Sequence, residues 1–267
     1  MAFSLKDIHK GVKRMPRKVI IYGPPKVGKS SLAGSTTDAL MIPTEDRVSH
    51  IKCDKTPVIE KFEDINDVFD FLLKKKENKH TYKRVIVDTL DWLEPLIHNY
   101  AVRKLNERGV SAKSITDDDC KETNFQKGLK FLAPQYWKIF LSNCDVLREN
   151  GMDVILVAHS HIISVNPPDR DPYERYVMKI DKSSLAVLEE WADIIAFYDK
   201  EVFVKMEKTG PTSKKGKAIA SKKRILHLCG DNPAMINGNS FGLPDAEVEL
   251  EHCTEIMEWM LTETNNE

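Results

Sequence analysis

Several absences narrow the classes this chain can belong to. Its five cysteines, at 53, 120, 144, 229 and 253, are scattered, odd in number and nowhere spaced C-x-x-C. That pattern argues against a disulfide framework or a cysteine zinc site and fits a reducing compartment. No apolar run approaches the roughly 18 residues that a membrane span needs, and the first residues lack a hydrophobic signal core. A cytoplasmic protein without a membrane partner is expected. The formal net charge is only -1, so no global field selects a polyanion. At 267 residues the chain fits one large α/β domain or two small ones.

Charge is nevertheless unevenly placed. Lys6 to Lys18 carries Lys6, Lys10, Lys13, Arg14, Arg17 and Lys18 against Asp7 alone. Residues 205–224 carry Lys205, Lys208, Lys214, Lys215, Lys217, Lys222, Lys223 and Arg224 against Glu207 alone. From residue 245 onward there are Asp245 and seven glutamates, and no lysine or arginine. Such asymmetry suits a polyanion-binding face and an acidic tail, although a single charged run is usually solvated surface.

Apolar strands alternate with helical patterns over most of the chain. Val19 to Tyr22, Ala39 to Pro43, Arg84 to Asp88 and Val154 to Ala158 read as buried strands. Phe62 to Lys76, Thr89 to Leu105, Tyr136 to Arg148, Ser183 to Ala192 and Ala246 to Leu261 read as helices. Residues 108–124 and Ile163 to Tyr176 read as loops. Ile194 to Tyr198 and Val202 to Met206 read as strands joined by a tight turn, residues 207–221 as a flexible loop, and Arg224 to Cys229 as a further strand. This order predicts an α/β fold with a mainly parallel sheet, helices on both faces and an antiparallel extension confined to the last third. We divide it into a basic arm (1–17), a core (18–250) and an acidic terminal helix and tail (251–267).

Gly23 to Ser30, G-P-P-K-V-G-K-S, is a complete G-x-x-x-x-G-K-S loop between a strand and a helix. In that context it is a phosphate cradle. Gly23 and Gly28 let the backbone turn and aim N–H groups inward, with Pro24, Pro25, Lys26, Val27 and Ser31 completing the loop. Lys29 can reach the β- and γ-phosphates, and Ser30 can ligate Mg²⁺. ATP and Mg²⁺ are therefore the expected ligands. Asp88 ends an apolar strand and suits the second Mg²⁺ position, held through water at the end of a neighbouring strand. Glu45 follows the second strand and is the preferred general base, with Asp46 and Asp91 as rivals. His159 follows Val154 to Ala158 at the same sheet edge, where a polar side chain can sense the γ-phosphate. The basic run at Lys214, Lys215, Lys217, Lys222, Lys223 and Arg224 has no aromatics for stacking, so its natural role is contact with a phosphate backbone. Arg170, Tyr173, Arg175 and Tyr176 can add stacking.

The P-loop, the strand into Glu45, V-I-V-D-T at Asp88 and V-I-L-V-A-H-S at His159 together resemble the RecA-like core ATPases. More narrowly they resemble phage-type AAA nucleotide-binding proteins related to Sak-type single-strand annealing recombinases. The resemblance runs from about Lys18 to Leu250 and includes Asn124 to Gly128, Ala192-Asp193 and Gly242-Leu243-Pro244. It implies a RecA-like P-loop NTPase fold, ATP hydrolysis, single-stranded DNA binding and a homo-oligomer, ring or filament, that shares ATP sites. It also implies that Glu45 is the catalytic glutamate, Asp88 the Mg²⁺-water ligand and His159 the sensor. Lys26 stands where a glycine is common, and Asn237 to Ser240 lacks a basic residue frequent in relatives. An arginine finger would then come from Lys222, Lys223 or Arg224 of a neighbouring subunit. The acidic terminal helix offers a surface for a protein partner.

Two other functions fit less well. A nucleotide kinase needs an arginine-rich lid, yet residues 101–130 hold only Arg103 and Arg108. A switch-type P-loop protein acting through a partner has no need of Glu45. A GTPase is disfavoured because no N-K-x-D follows the P-loop.

Overall fold

Strands that read as unbroken apolar runs form the centre of the sheet, because each must be covered on both faces. A computed structural model describes residues 15–169, 171–208, 214–229, 234–237 and 241–262, with the backbone alone for 203–208, 214–220, 222 and 250. Most of the basic arm, Arg170, and the residues after 262 lie outside the described residues. The elements run β1 (Lys18–Gly23), α1 (Lys29–Gly34), β2 (Ala39–Pro43), β3 (Asp54–Lys55), α2 (Phe62–Leu73), α3 (Lys75–Asn78), β4 (Arg84–Asp88) and α4 (Leu90–Asn106). They continue α5 (Ala133–Glu149), β5 (Asp153–Val165), β6 (Tyr173–Met178), α6 (Lys182–Trp191), β7 (Ile194–Lys208), β8 (Lys214–His227), β9 (Ala246–Val248) and α7 (Cys253–Thr262).

The sheet order is β3-β2-β4-β5-β1-β7-β8-β9, with β6 paired to β5. Strands β3 through β7 of that path are mutually parallel. β8 and β9 add antiparallel pairings at one edge. Alternate residues of β1 show the two-sided burial. Ile20 and Tyr22 pack with the buried faces of α2, α4, α5 and α6. Val19 and Ile21 face the opposite layer, where α1 and α7 contribute Leu32, Met257, Met260 and Leu261. The fold is thus the expected α/β sandwich with an antiparallel C-terminal extension.

Four local expectations are corrected. Ile163 to Tyr176 is not all loop: β5 runs on to Val165 and pairs antiparallel with β6, Ser160 opposite Met178. Burial in β5 is continuous to Ala158 and then becomes partial, so this hairpin leaves the core, and Pro167, Pro168 and Pro172 sit in its connection. Antiparallel pairing is therefore not confined to the last third. β7 is one long strand with an irregularity between Lys200 and Val202 where a turn was expected. Lys214 to Ala220, expected within a flexible loop, belong to β8 and pair with β7, and Ser221 continues the strand; their Gly/Lys/Ser composition hid it. Finally, Ala246 to Val248 is a strand that finishes the β8 edge, so the terminal helix begins only at Cys253. β3 was not foreseen, and α2 stops at Leu73 instead of Lys76.

Candidate functional site

Register places the chemistry-bearing residues on one edge. Gly23 lies opposite His159, and Asp88 opposite Pro43. The carboxyl ends of β1, β2, β4 and β5 therefore open together, as in other open α/β sheets. β4 is not the direct neighbour of β1 as expected, because β5 lies between them. Asp88 is nonetheless delivered beside the loop.

The Gly23–Gly28 turn is dictated by backbone space. A Cβ on Gly23 would sit 2.0 Å from the Tyr198 carbonyl oxygen of β7. Gly28 caps α1 at φ +106°, a conformation L side chains rarely adopt. Lys26 also has positive φ, 64°. The Lys29 ammonium folds back onto its own loop, donating to the carbonyls of Gly23 (3.0 Å) and Pro24 (2.8 Å). Burial lowers its pKa to about 8, against the opposing pull of Asp88, Asp91 and Glu45.

Asp88 is fully buried, and neither carboxylate oxygen has a hydrogen-bond partner among the described residues. Burial raises its pKa, while the nearby Ser30 hydroxyl pulls it down without making a well-formed hydrogen bond. A buried, unpartnered carboxylate beside a hydroxyl is a hard-oxygen donor pair of the kind Mg²⁺ accepts together with waters and phosphate oxygens. Among the described residues no group of three or more His, Cys, Asp or Glu forms a metal cage.

Glu45 is set by a clamp that the sequence reading missed. The Thr44 hydroxyl donates to the Thr89 carbonyl (2.8 Å) and accepts from the Thr89 N–H (2.8 Å), and the Thr44 N–H donates to the Asp88 carbonyl (2.8 Å). The end of β2 is thereby tied to the end of β4. A cleft of about 430 Å³ lies against the loop, lined by Lys26, Gly28, Lys29, Ser30, Glu45 and His159. Pro25 and Ser31 also border it, as do two residues not singled out from sequence, Arg47 and His50. Their only sequence signal was a basic side chain within seven residues of the end of β2. Arg47 Nε lies 3.8 Å from a Glu45 carboxylate oxygen. Of the rival bases, Asp46 is exposed and does not line the cleft. Asp91 is committed to His159, donating nothing and accepting from its ring and backbone.

The basic segment is placed only in part. Lys214, Lys215, Lys217 and Lys222 lie in β8, and their side chains are outside the described ones. Lys223 pairs with Glu247 at 3.1 Å. Arg224 Nε donates to the Val27 carbonyl of its own P-loop at 2.8 Å, so this guanidinium is engaged within the chain. A larger cleft of about 690 Å³ adjoins there, lined by Lys200, Lys223, Arg224, Glu247, Glu249 and others. The phosphate-binding chemistry belongs to the smaller cleft, where the loop amides and Lys29 are. Tyr176, expected to stack on bases, is used in the fold: its ring stacks on Phe197 at 5.0 Å and its carbonyl accepts from Tyr22. Tyr173 is exposed.

A search of curated proteins finds no match to the chain. The family comparison does find one: the AAA domain family matches residues 15–225. That span runs from just before β1 into β8 and contains the loop, Glu45, Asp88 and His159. With the P-loop fold and the convergent strand ends, it establishes that the chain belongs to the AAA domain family, a family of P-loop ATPases.

Proposed function

We propose that the protein is a Mg²⁺-dependent ATPase of the RecA-like class that works on single-stranded DNA, in recombination or replication of a phage or mobile element, as a homo-oligomer. The observation that carries the hydrolytic part is the convergence of Lys29, Ser30, Glu45 and His159 on one cleft, with Asp88 buried beneath it next to Ser30. Loop amides and the N-terminus of α1 bind the phosphates. Lys29 then exchanges the Gly23 and Pro24 carbonyls for phosphate oxygens, which are stronger acceptors for an ammonium. Ser30 and Asp88 would hold Mg²⁺, which would supply positive charge against the negative charge that develops on the transferred phosphoryl group. Glu45 orients the attacking water and takes its proton. His159 meets the terminal phosphate.

The DNA part is supported by the charge of β8 and by the sequence resemblance. Lysines along a strand that extends from the core suit contact with phosphate backbone, which is independent of sequence and weakened by salt. The exposed acids Glu251 and Glu255, just before and in the first turn of α7, are left for a protein partner.

The test is steady-state ATP hydrolysis with Mg²⁺, with and without single-stranded DNA, at low and moderate salt. DNA-stimulated turnover that fades with salt is expected. Lys29→Ala should abolish nucleotide binding or turnover, and wild-type turnover in that variant would remove the site assignment. Turnover indifferent to DNA would remove the DNA role and leave the ATPase.

A further inference from the structure

His159 directly follows the buried part of β5, and one carboxylate holds it twice. Asp91, in the first turn of α4, has Oδ1 3.0 Å from the His159 backbone nitrogen, and Oδ2 and Oδ1 lie 2.9 and 3.1 Å from ring Nδ1. Asp91 is itself deeply placed, its side chain 7% exposed, whereas that of His159 is 23% exposed and borders the nucleotide cleft. An acid in the first turn of a helix is ordinarily read as a complement to the helix dipole. Asp91 spends both oxygens instead on a residue of another element, 68 positions away in sequence.

We propose that Asp91 is the positioning residue for His159: its carboxylate keeps a proton on Nδ1 and turns Nε2 to the cleft, where Nε2, protonated once the anionic terminal phosphate of ATP lies beside it, donates to a phosphate oxygen. The chemistry is that of any carboxylate–imidazole pair. A carboxylate that only accepts fixes a proton on the nitrogen facing it, and so fixes which nitrogen is left for the ligand. Nε2 makes no hydrogen bond among the described residues. The backbone bond adds orientation, since the same carboxylate pins the Cα from which the ring projects. Burial raises the Asp91 pKa, but the bonds from the His159 ring and backbone outweigh it and hold the carboxyl below its usual range, so an ionised acceptor is maintained. The arrangement also explains why Asp91 is unavailable as the general base. A neighbouring link carries the position onward, because the His159 carbonyl accepts from the Lys179 N–H at 2.8 Å, just after β6.

This inference rests on the ATPase reading for its consequence but not for its geometry, and two measurements separate them. The first uses nucleotide-free wild-type protein and long-range ¹H–¹⁵N imidazole spectra, with the His159 signal assigned by its loss in His159→Gln. The expected state is the Nδ1–H tautomer, becoming mixed in Asp91→Asn. An Nε2–H tautomer in the wild type overturns the proposal whether or not ATP is hydrolysed. The second is a double-mutant cycle on ATP turnover. Asp91→Asn alone should lower kcat by about 10–100-fold, the range seen when an orienting partner is removed, with KM changed far less. His159→Gln presents an amide nitrogen near the position of Nε2 without needing a partner on Nδ1. In that background Asp91→Asn should cost little more. Equal losses in both backgrounds would mean that Asp91 merely holds the backbone, and would overturn the proposal. Absence of turnover in the wild type would instead remove the ATPase reading, and the spectra would still decide the pair.

Discussion

At the scale of single residues, the site depends on side chains held by the chain's own backbone. Lys29 bonds its own loop carbonyls, and Thr44 ties the β2 end to the β4 end. Glu45 follows that clamp directly, which keeps a carboxylate at the mouth of the cleft beside Asp88. Glu45→Gln keeps the shape and loses the base. ATP binding should remain near wild type while turnover falls by about 10²–10⁴-fold, the usual worth of a general base. Measured by equilibrium nucleotide binding alongside steady-state rates, a variant that turns over normally would move the base to another group. Gly23 to Ser30 was legible in the sequence because the motif is contiguous and its geometry follows from residue type. The Thr44 clamp and the Asp91–His159 pair were not legible, because each joins residues that only the strand register brings together. Tyr176 misled for the opposite reason: an aromatic beside arginines reads as a stacking platform until Phe197 is seen to occupy its face.

At the scale of elements, β1, β2 and β4 were readable because both faces are covered, so their apolar runs have no interruption. β6, β9 and the outer parts of β5 and β8 were not. β6, β9 and the outer part of β5 have partly exposed residues, and outer β8 is a Gly/Lys/Ser-rich run, so composition suggested loops there and a helix at β9. Two helix contacts make predictions. Glu94 on α4 accepts the N–H of Asp181, the cap of α6, at 3.1 Å. Burial raises its pKa to about 7. Between the unfolded value near 4.5 and about 7, the folded state therefore binds more protons, and stability must fall as pH rises through that window. The loss should be about 3 kcal/mol. Glu94→Gln keeps an acceptor for Asp181 and removes the titration. Denaturant midpoints should show the variant gaining on wild type from pH 5 to pH 8, and parallel pH profiles would contradict the assignment.

The second contact holds α7. Arg84 at the start of β4 makes a bidentate pair with Glu258, both bonds 2.6 Å, and also donates to the Thr37 carbonyl at 2.9 Å. The Arg84 side chain is 10% exposed. Removing its partner leaves a mostly buried guanidinium short of acceptors, which costs more than the pair itself contributes. Glu258→Ala should lower stability by about 1–3 kcal/mol by chemical denaturation. A change within error would mean that Met257, Met260 and Leu261 hold α7 unaided.

At the scale of the whole molecule, the question is how a distant nucleic-acid contact would reach the phosphate cleft. β8 offers a continuous path. It pairs with β7 from Lys214 onward, and near its other end Arg224 donates to the Val27 carbonyl inside the P-loop. β7 is also the strand whose Tyr198 carbonyl leaves no room for a side chain at Gly23. A displacement of this pair of strands is thus felt at both glycine-bearing ends of the loop. Under the proposed function, binding and coupling should separate by position along one strand. Changing Lys214, Lys215 and Lys217 together to alanine should weaken single-stranded DNA binding and flatten its log–log salt slope by up to about 2, since each phosphate contact on a single strand contributes about 0.7. Arg224→Ala should leave DNA affinity nearly unchanged while reducing the stimulation of ATP turnover by DNA. Fluorescence anisotropy across a salt series, paired with turnover measurements on the same samples, reads both quantities. If the lysine variant binds as the wild type does, the contact lies elsewhere. If Arg224→Ala is stimulated as fully as wild type, the Arg224–Val27 link is structural and any signal from DNA enters the loop by another route.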